Sequence, residues 1–142
     1  MKDRVTILVC ANASGSHRVK LTLVGKSKKA RCIKNISKTA LPVQYIHQES
    51  AWINSRLFSE LFHDCFVPEV KKNLKKLRLK KAILLMDNAP AHTDVETLKA
   101  ENINCIFVPP NTTAILQLMD QGVIESMKRC YRKQLLMNLL FE

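Results

Sequence analysis

Glycine is scarce in this chain, with three in 142 residues, and proline numbers only five. Together with an apolar fraction of 46%, that scarcity argues against disorder, a collagen-type repeat and low-complexity sequence. No stretch approaches the roughly 20 apolar residues that cross a bilayer. Met1-Lys2-Asp3-Arg4 leads into a run too short and too strand-like for a secretory leader. Paired cysteines are missing as well: Cys10, Cys32, Cys65, Cys105 and Cys130 are scattered, odd in number and form no Cys-x-x-Cys. Cys10, Cys65 and Cys105 sit inside apolar runs, as free thiols do in a reducing compartment, so neither a zinc site nor a disulfide scaffold finds support. The expectation is a soluble, intracellular protein with no membrane segment.

Positive charge, by contrast, is plentiful. Lysine and arginine total 23 against 12 acids, a formal net charge of +11. The cations are grouped. Lys26, Lys28, Lys29, Arg31, Lys34 and Lys38 form one cluster. Lys71, Lys72, Lys75, Lys76, Arg78, Lys80 and Lys81 form a second with no acid among them, and Lys128, Arg129, Arg132 and Lys133 form a third. Such clusters are the electrostatic footprint of a polyanion, most often a nucleic acid. The rival reading is a solvated surface or a nuclear-localisation patch.

The length fits a single domain, 1–142, which buries roughly 68% of the surface its unfolded chain exposes. Residues 5–11 read as a buried strand, 12–16 as a turn, and 18–24 alternate polar and apolar, so the three predict a hairpin. Residues 25–37 read as an exposed basic loop, with a short extended segment over 41–46 bent by Pro42. Asn54 or Ser55 is placed to cap a helix running to about Phe66, with Leu57, Phe58, Leu61, Phe62 and Cys65 at helical spacing. Pro68 opens a second helix to about 77, with Val70, Leu74 and Leu77 beneath its lysines. Trp52, Phe58 and Phe62 are expected in the core, a base-stacking surface being the rival reading.

Residues 82–86 are a short apolar run that ends at Asp87, the pattern of a buried strand opening into a polar site. Thr93 with Glu96 predicts a capped short helix ending near Ala100, and 103–108 predict the next strand, stopped by Pro109-Pro110. Strand, short helix, strand implies a parallel pair. From about Asp120 to Leu140 the pattern is helical, with Val123, Ile124, Met127, Tyr131, Leu135 and Leu139 as one stripe.

Asp87 and Asp120 each stand where an apolar element meets a polar turn. Two such carboxylates can hold Mg²⁺ or Mn²⁺, hard ions that take oxygen ligands. Paired ions about 3.5–4 Å apart activate an attacking hydroxyl and stabilise a leaving oxygen in phosphodiester cleavage. On residue pattern alone, Asp87 equally ends a strand and Asp120 equally caps a helix. His92 reads as a structural or capping residue, with contact to a metal-bound water or phosphate as its rival role. His17, His47 and His63 share no ligand spacing.

The phrase Met86-Asp87-Asn88-Ala89-Pro90-Ala91-His92, followed by Pro109-Pro110-Asn111-Thr112-Thr113 and Gln117-Leu118-Met119-Asp120-Gln121-Gly122, resembles the DDE domain of pogo/Tigger transposases. The same phrases mark the cellular proteins descended from them, the jerky and centromere-protein-B groups included. The likeness begins at the hairpin around 12–16 and covers almost the whole chain. It implies an α/β, RNase H-like fold, a mixed sheet with flanking helices, and a nuclear setting. It also implies that Asp87 and Asp120 match the second and third catalytic, metal-binding aspartates. The family's first aspartate lies in an Asp-Glu-Thr-type phrase on a strand before the hairpin, and Asp3 does not match it. Ser14 stands where an acid is usual, Ala30 where proline is usual, and Leu118 where proline usually precedes Met-Asp. The family's amino-terminal helix-turn-helix domains have no counterpart in these residues.

On that resemblance the fold is expected to be incomplete, lacking a central strand between the hairpin and the parallel strands, so that apolar edges are uncovered. Three functions follow. One is a transposase-derived protein that binds DNA through Lys26, Lys28, Lys29, Arg31, Lys71, Lys72, Lys75, Lys76, Lys128 and Arg129 without cleaving it, with Mg²⁺ or Mn²⁺ weakly held or not at all. Another is an Mg²⁺-dependent DNA endonuclease or strand transferase whose third carboxylate comes from Asp3, Glu49 or another chain. The last is a fragment that self-associates or binds a protein partner through exposed sheet edges and the last helix.

Overall fold

Residues 12–16 are polar and small, and their side chains bond locally: His17 N–H donates to Asn12 Oδ1 at 3.0 Å and Asn12 Nδ2 to Ser16 Oγ at 3.0 Å. Gly15 completes the bend at φ +70°, a left-handed value that suits glycine. This turn joins the predicted hairpin. In the computed structural model, which describes residues 4–89, 96–111, 119 and 122–141, β1 (Thr6–Leu8) pairs antiparallel with β2 (Thr22–Gly25) in the register Thr6↔Val24, Ile7↔Leu23, Leu8↔Thr22. Regular pairing is shorter than the sequence predicts. Towards the turn the ladder gives way to the isolated bridge Ala11↔Arg18, flanked by the bonds from Val19 N–H to Cys10 O and from Asn12 N–H to His17 O, and side-chain bonds near the turn compete with regular pairing there.

The chain falls into two compact units, Met1–Ala82 with Pro90–Asn104, and Ile83–Ala89 with Cys105–Glu142. In the first, β3 (Gln44–His47) adds to β2 in parallel, Leu23 facing Tyr45 and Gly25 facing His47. The strand order is β1-β2-β3. The predicted extended segment over 41–46 is thus real but shifted towards the helix. The basic loop before it carries one 3-10 turn, Arg31–Ile33.

Asn54 is the expected cap: its Oδ1 accepts from Leu57 N–H at 2.8 Å. The helix it starts differs from the prediction. Instead of two helices separated at Pro68, α1 (Ser55–Leu61) continues through a π segment (Phe62–Phe66) directly into α2 (Val67–Leu77). Proline has no N–H and its ring crowds the carbonyl four residues back. Here the turn ahead of Pro68 widens, Val67 N–H reaching Phe62 O, and the helix passes through without breaking. At the far end Arg78 takes the left-handed conformation, φ 56°, and Leu79 N–H closes on Leu74 O at 2.9 Å.

Two side-chain bonds tie this rod to the rest of the unit, and a third holds the turn that leads into it. Thr6 Oγ1 donates to Ala51 O at 2.7 Å, Gln44 Nε2 to Cys65 Sγ at 3.2 Å, and His17 Nε2 meets Glu69 Oε1 at 3.2 Å. Val24, Leu41, Phe58, Leu61, Phe62, Leu74 and Leu98 are buried. Trp52 is not, contrary to the core reading: it precedes the cap and is 61% exposed. Leu77 is also exposed, because it closes the last turn of α2 where the chain leaves the helix.

β4 (Ala82–Met86) and β5 (Ile103–Phe107) form a separate two-stranded sheet. Ala82 N–H bonds to Asn102 O at one end and Val108 N–H to Met86 O at the other. Both strands therefore advance in the same direction, the parallel pairing the sequence predicts. Of the predicted crossover helix, residues 96–98 are turn and bend, and its start, the proposed cap Thr93 included, lies outside the described residues. In the second unit α3 (Val123–Leu140) is a long helix none of whose side chains is buried, with only Ile124 and Met127 of the predicted stripe half-covered. On β4 and β5, Ile83, Leu85 and Ile106 are likewise exposed.

Candidate nucleic-acid interface and acidic site

Helix α2 separates charge from core. Leu74 is buried and Val70 half-buried, while Lys71, Lys72, Lys75 and Lys76 are exposed. Lysines at i and i+4 lie on one side of a helix about 6 Å apart along its axis, so the two pairs 71/75 and 72/76 form a double row. Arg78, Lys80 and Lys81 extend that charge beyond the helix, all exposed. The helix has one acid in its first turn, Glu69, and it is engaged by His17. Among the described residues no lysine of this cluster is held in an ion pair.

The loop cluster is equally open. Lys26, Lys28, Lys29, Arg31 and Lys34 are exposed around the 3-10 turn. Lys128, Arg129, Arg132 and Lys133 are exposed on α3, where Arg129 Nη2 lies 3.0 Å from Glu125 Oε1. That pair spans one helical turn and both partners are well exposed, so it holds the guanidinium only weakly. The first and second clusters belong to the first unit and the third to the second.

Asp87 stands where the sequence places it, directly after β4, half-buried beside buried Met86. The bond from Val108 N–H to Met86 O fixes the strand end that presents it. Asp120, His92 and Asp3 lie outside the described residues, so the arrangement of the two aspartates is not part of the described structure. Asp87 offers the oxygen donor that a hard divalent ion takes. Among the described residues, however, no group of three or more His, Cys, Asp or Glu is placed to hold a metal ion, so those residues by themselves do not make such a site.

The cysteines behave as packing residues. Burial pushes the thiols of Cys10 and Cys105 above their ordinary value, which keeps them protonated. Cys65 accepts the Gln44 bond, and Cys32 and Cys130 are exposed. Sequence reasoning missed Tyr45. Its hydroxyl donates to Ser27 O at 2.6 Å, and its ring lies so close to Gly25 that a Cβ there would stand 2.6 Å from the hydroxyl. The one local signal is the glycine placed immediately before the basic loop. The contact between His17 and Glu69 was not legible either, since its partners lie 52 residues apart in the chain.

Comparison with known proteins gives a uniform result. The family model described as DDE superfamily endonuclease matches residues 2–142. The chain is 44% identical to human Tigger transposable element-derived protein 7, covering 94% of this chain and 26% of that protein. It is 40% identical to the mouse Jerky protein, covering 92% and 24%. Mouse Tigger transposable element-derived protein 4 is 32% identical, covering 98% and 25%. The chain thus spans about a quarter of the length of these relatives. No solved structure gives a significant match.

Proposed function

Since the chain belongs to the DDE superfamily endonuclease family and its origin is transposase-related, we propose that it is a nuclear, transposase-derived protein that binds DNA through phosphate contacts without cleaving it. The mixed α/β architecture agrees with a DDE nuclease fold. The finer assignment, an RNase H-like sheet lacking its central strand, belongs to this proposal. It is supported by the division of the strands, among the described residues, into one three-stranded and one two-stranded sheet. No described helix is long and apolar enough to cross a membrane.

The observation that carries the reading is the double row of exposed lysines on α2, unpaired among the described residues. Each phosphate neutralised by such a lysine releases counterions, so log affinity falls with log salt by about 0.9 per contact. Fluorescence anisotropy with a labelled duplex, repeated across salt concentrations, tests it. Replacing Lys71, Lys72, Lys75 and Lys76 together by alanine should flatten the slope by about 3 to 4. Affinity that does not change with salt would sink the phosphate account.

Asp87 at the end of β4 supports a second reading, metal-dependent strand cleavage. There Asp87 and Asp120 would bind Mg²⁺ or Mn²⁺, with a third carboxylate supplied by Asp3, Glu49 or another chain. When bound, such ions activate the attacking hydroxyl and stabilise the leaving oxygen. Asp87→Asn discriminates between the two readings. It abolishes Mg²⁺-dependent nicking if the enzyme reading holds, and leaves binding unchanged or slightly tighter if binding is the function. The uncovered apolar face of α3 supports a third reading, association with a protein partner or a second copy, whose binding would depend little on salt.

A further inference from the structure

Beside the basic loop lies a cavity of about 370 Å³. It is lined by Val5 and Leu23 from the hairpin, Ile33 from the 3-10 turn and Tyr45 from β3, together with the cations Arg4 and Lys26. Two features build it. Tyr45 is pinned by its bond to Ser27 O, and Gly25 leaves the space its ring occupies, which a side chain at that position would take. The result is a fixed aromatic wall with aliphatic neighbours, lined also by the exposed cations Arg4 and Lys26, in a loop that carries exposed Lys28, Lys29 and Arg31 as well.

Charge alone needs no hole. A phosphate backbone drawn to this loop is satisfied by lysines on a convex surface, and an apolar recess beside them adds a place for something uncharged that travels with the phosphate. In a nucleic acid that group is the base. A base enters such a recess only when it has left its stack, which costs least in a single strand. The space is ample for one base and its sugar and too small for a duplex.

We infer that this cavity receives one unstacked base of a single-stranded nucleic acid, against Tyr45 and the aliphatic wall, while Arg4 and Lys26 hold the adjoining phosphates. The inference rests on the nucleic-acid reading above and sharpens it from charge to base contact. It makes the chain a sequence-tolerant single-strand binder at this point, because every base has a flat apolar face.

The test compares two single strands of equal charge, about 12 nucleotides long, one of thymidines and one of abasic residues. Anisotropy with the intact chain should show the thymidine strand bound more tightly, on the order of tenfold. Ile33→Trp, which fills the recess, should reduce that preference to near unity. Circular dichroism of the variant checks that it remains folded. Equal binding of both strands by the intact chain overturns the base-pocket inference and leaves the charge-based reading standing. Failure to bind either strand or a duplex overturns both. A preference that survives Ile33→Trp in a folded variant places the base elsewhere and overturns the assignment to this cavity.

Discussion

The two compact units cover their apolar surface to different degrees. In the first, a capped and continuous helical rod lays Phe58, Leu61, Phe62 and Leu74 into a core, Gln44 and His17 make side-chain bonds to the rod, and Thr6 bonds to the turn that leads into it. In the second, Met86, Cys105 and Val108 are buried, but an 18-residue helix buries none of its side chains and the parallel strands leave Ile83, Leu85 and Ile106 exposed. Parallel strands are ordinarily covered on both faces. Long-range bonds thus hold the hairpin, β3 and the rod of the first unit, whereas α3, with only Ile124 and Met127 of its predicted stripe half-covered, leans more on its own backbone bonds and propensity, a weaker basis for a helix.

Substitution should reveal that contrast most sharply in the core. Phe62→Ala removes a side chain only 3% exposed and should cost about 3–5 kcal/mol in urea unfolding. Leu139→Ala, at 76% exposure, should stay within about 0.5 kcal/mol. Comparable costs at the two sites would mean that α3 is buried in solution, by self-association or otherwise, and a concentration-dependent midpoint would identify self-association. Next in size is the cap. Asn54→Ala should cost about 1 kcal/mol by orphaning Leu57 N–H.

Smaller still is the other end of the rod. Arg78 occupies a left-handed position that an L side chain enters at a cost. Arg78→Gly should stabilise the chain by a few tenths to about 1 kcal/mol, while lowering DNA affinity if that arginine meets phosphate. The gentlest effect is alkaline. The raised thiols of Cys10 and Cys105 stay protonated in the folded state after the unfolded chain begins to ionise near 9.0. The unfolded state then binds fewer protons, so stability is intact below that pH and declines above it. Replacing both cysteines by alanine should flatten the decline in a pH series of urea midpoints.

Local signals in the sequence were read successfully. Residues 12–16 marked the hairpin turn, Asn54 the cap, the apolar run before Asp87 a strand, and the spacing from Val123 onward a helix. Each depends on neighbours a few positions away. The readings that failed depend on distant partners. Trp52 looks like a core residue by type, but exposure is decided by what else reaches it. Pro68 looks like a break, but the turn ahead of it widens and the helix passes through, an accommodation that helical spacing does not announce. The parallel pairing of β2 with β3 left no periodic trace, nor did the cavity under Tyr45. At the acidic site the strand end presenting Asp87 was legible, while Asp120 lies outside the described residues.

The π segment has a consequence for the direction of charge. Successive residues of an α-helix turn by about 100°, so Leu74, twelve positions after Phe62, would point about 120° away from it on an uninterrupted helix. A single widened turn absorbs one residue of that rotation and brings Leu74 back to within about 20° of Phe62, in keeping with the burial of both. The same correction turns Lys72 and Lys76 away from the core side, towards which an unbroken α-helix would swing them. One extra residue in the coil thus acts as a phase shifter, setting the direction of the whole lysine face without altering a single charge.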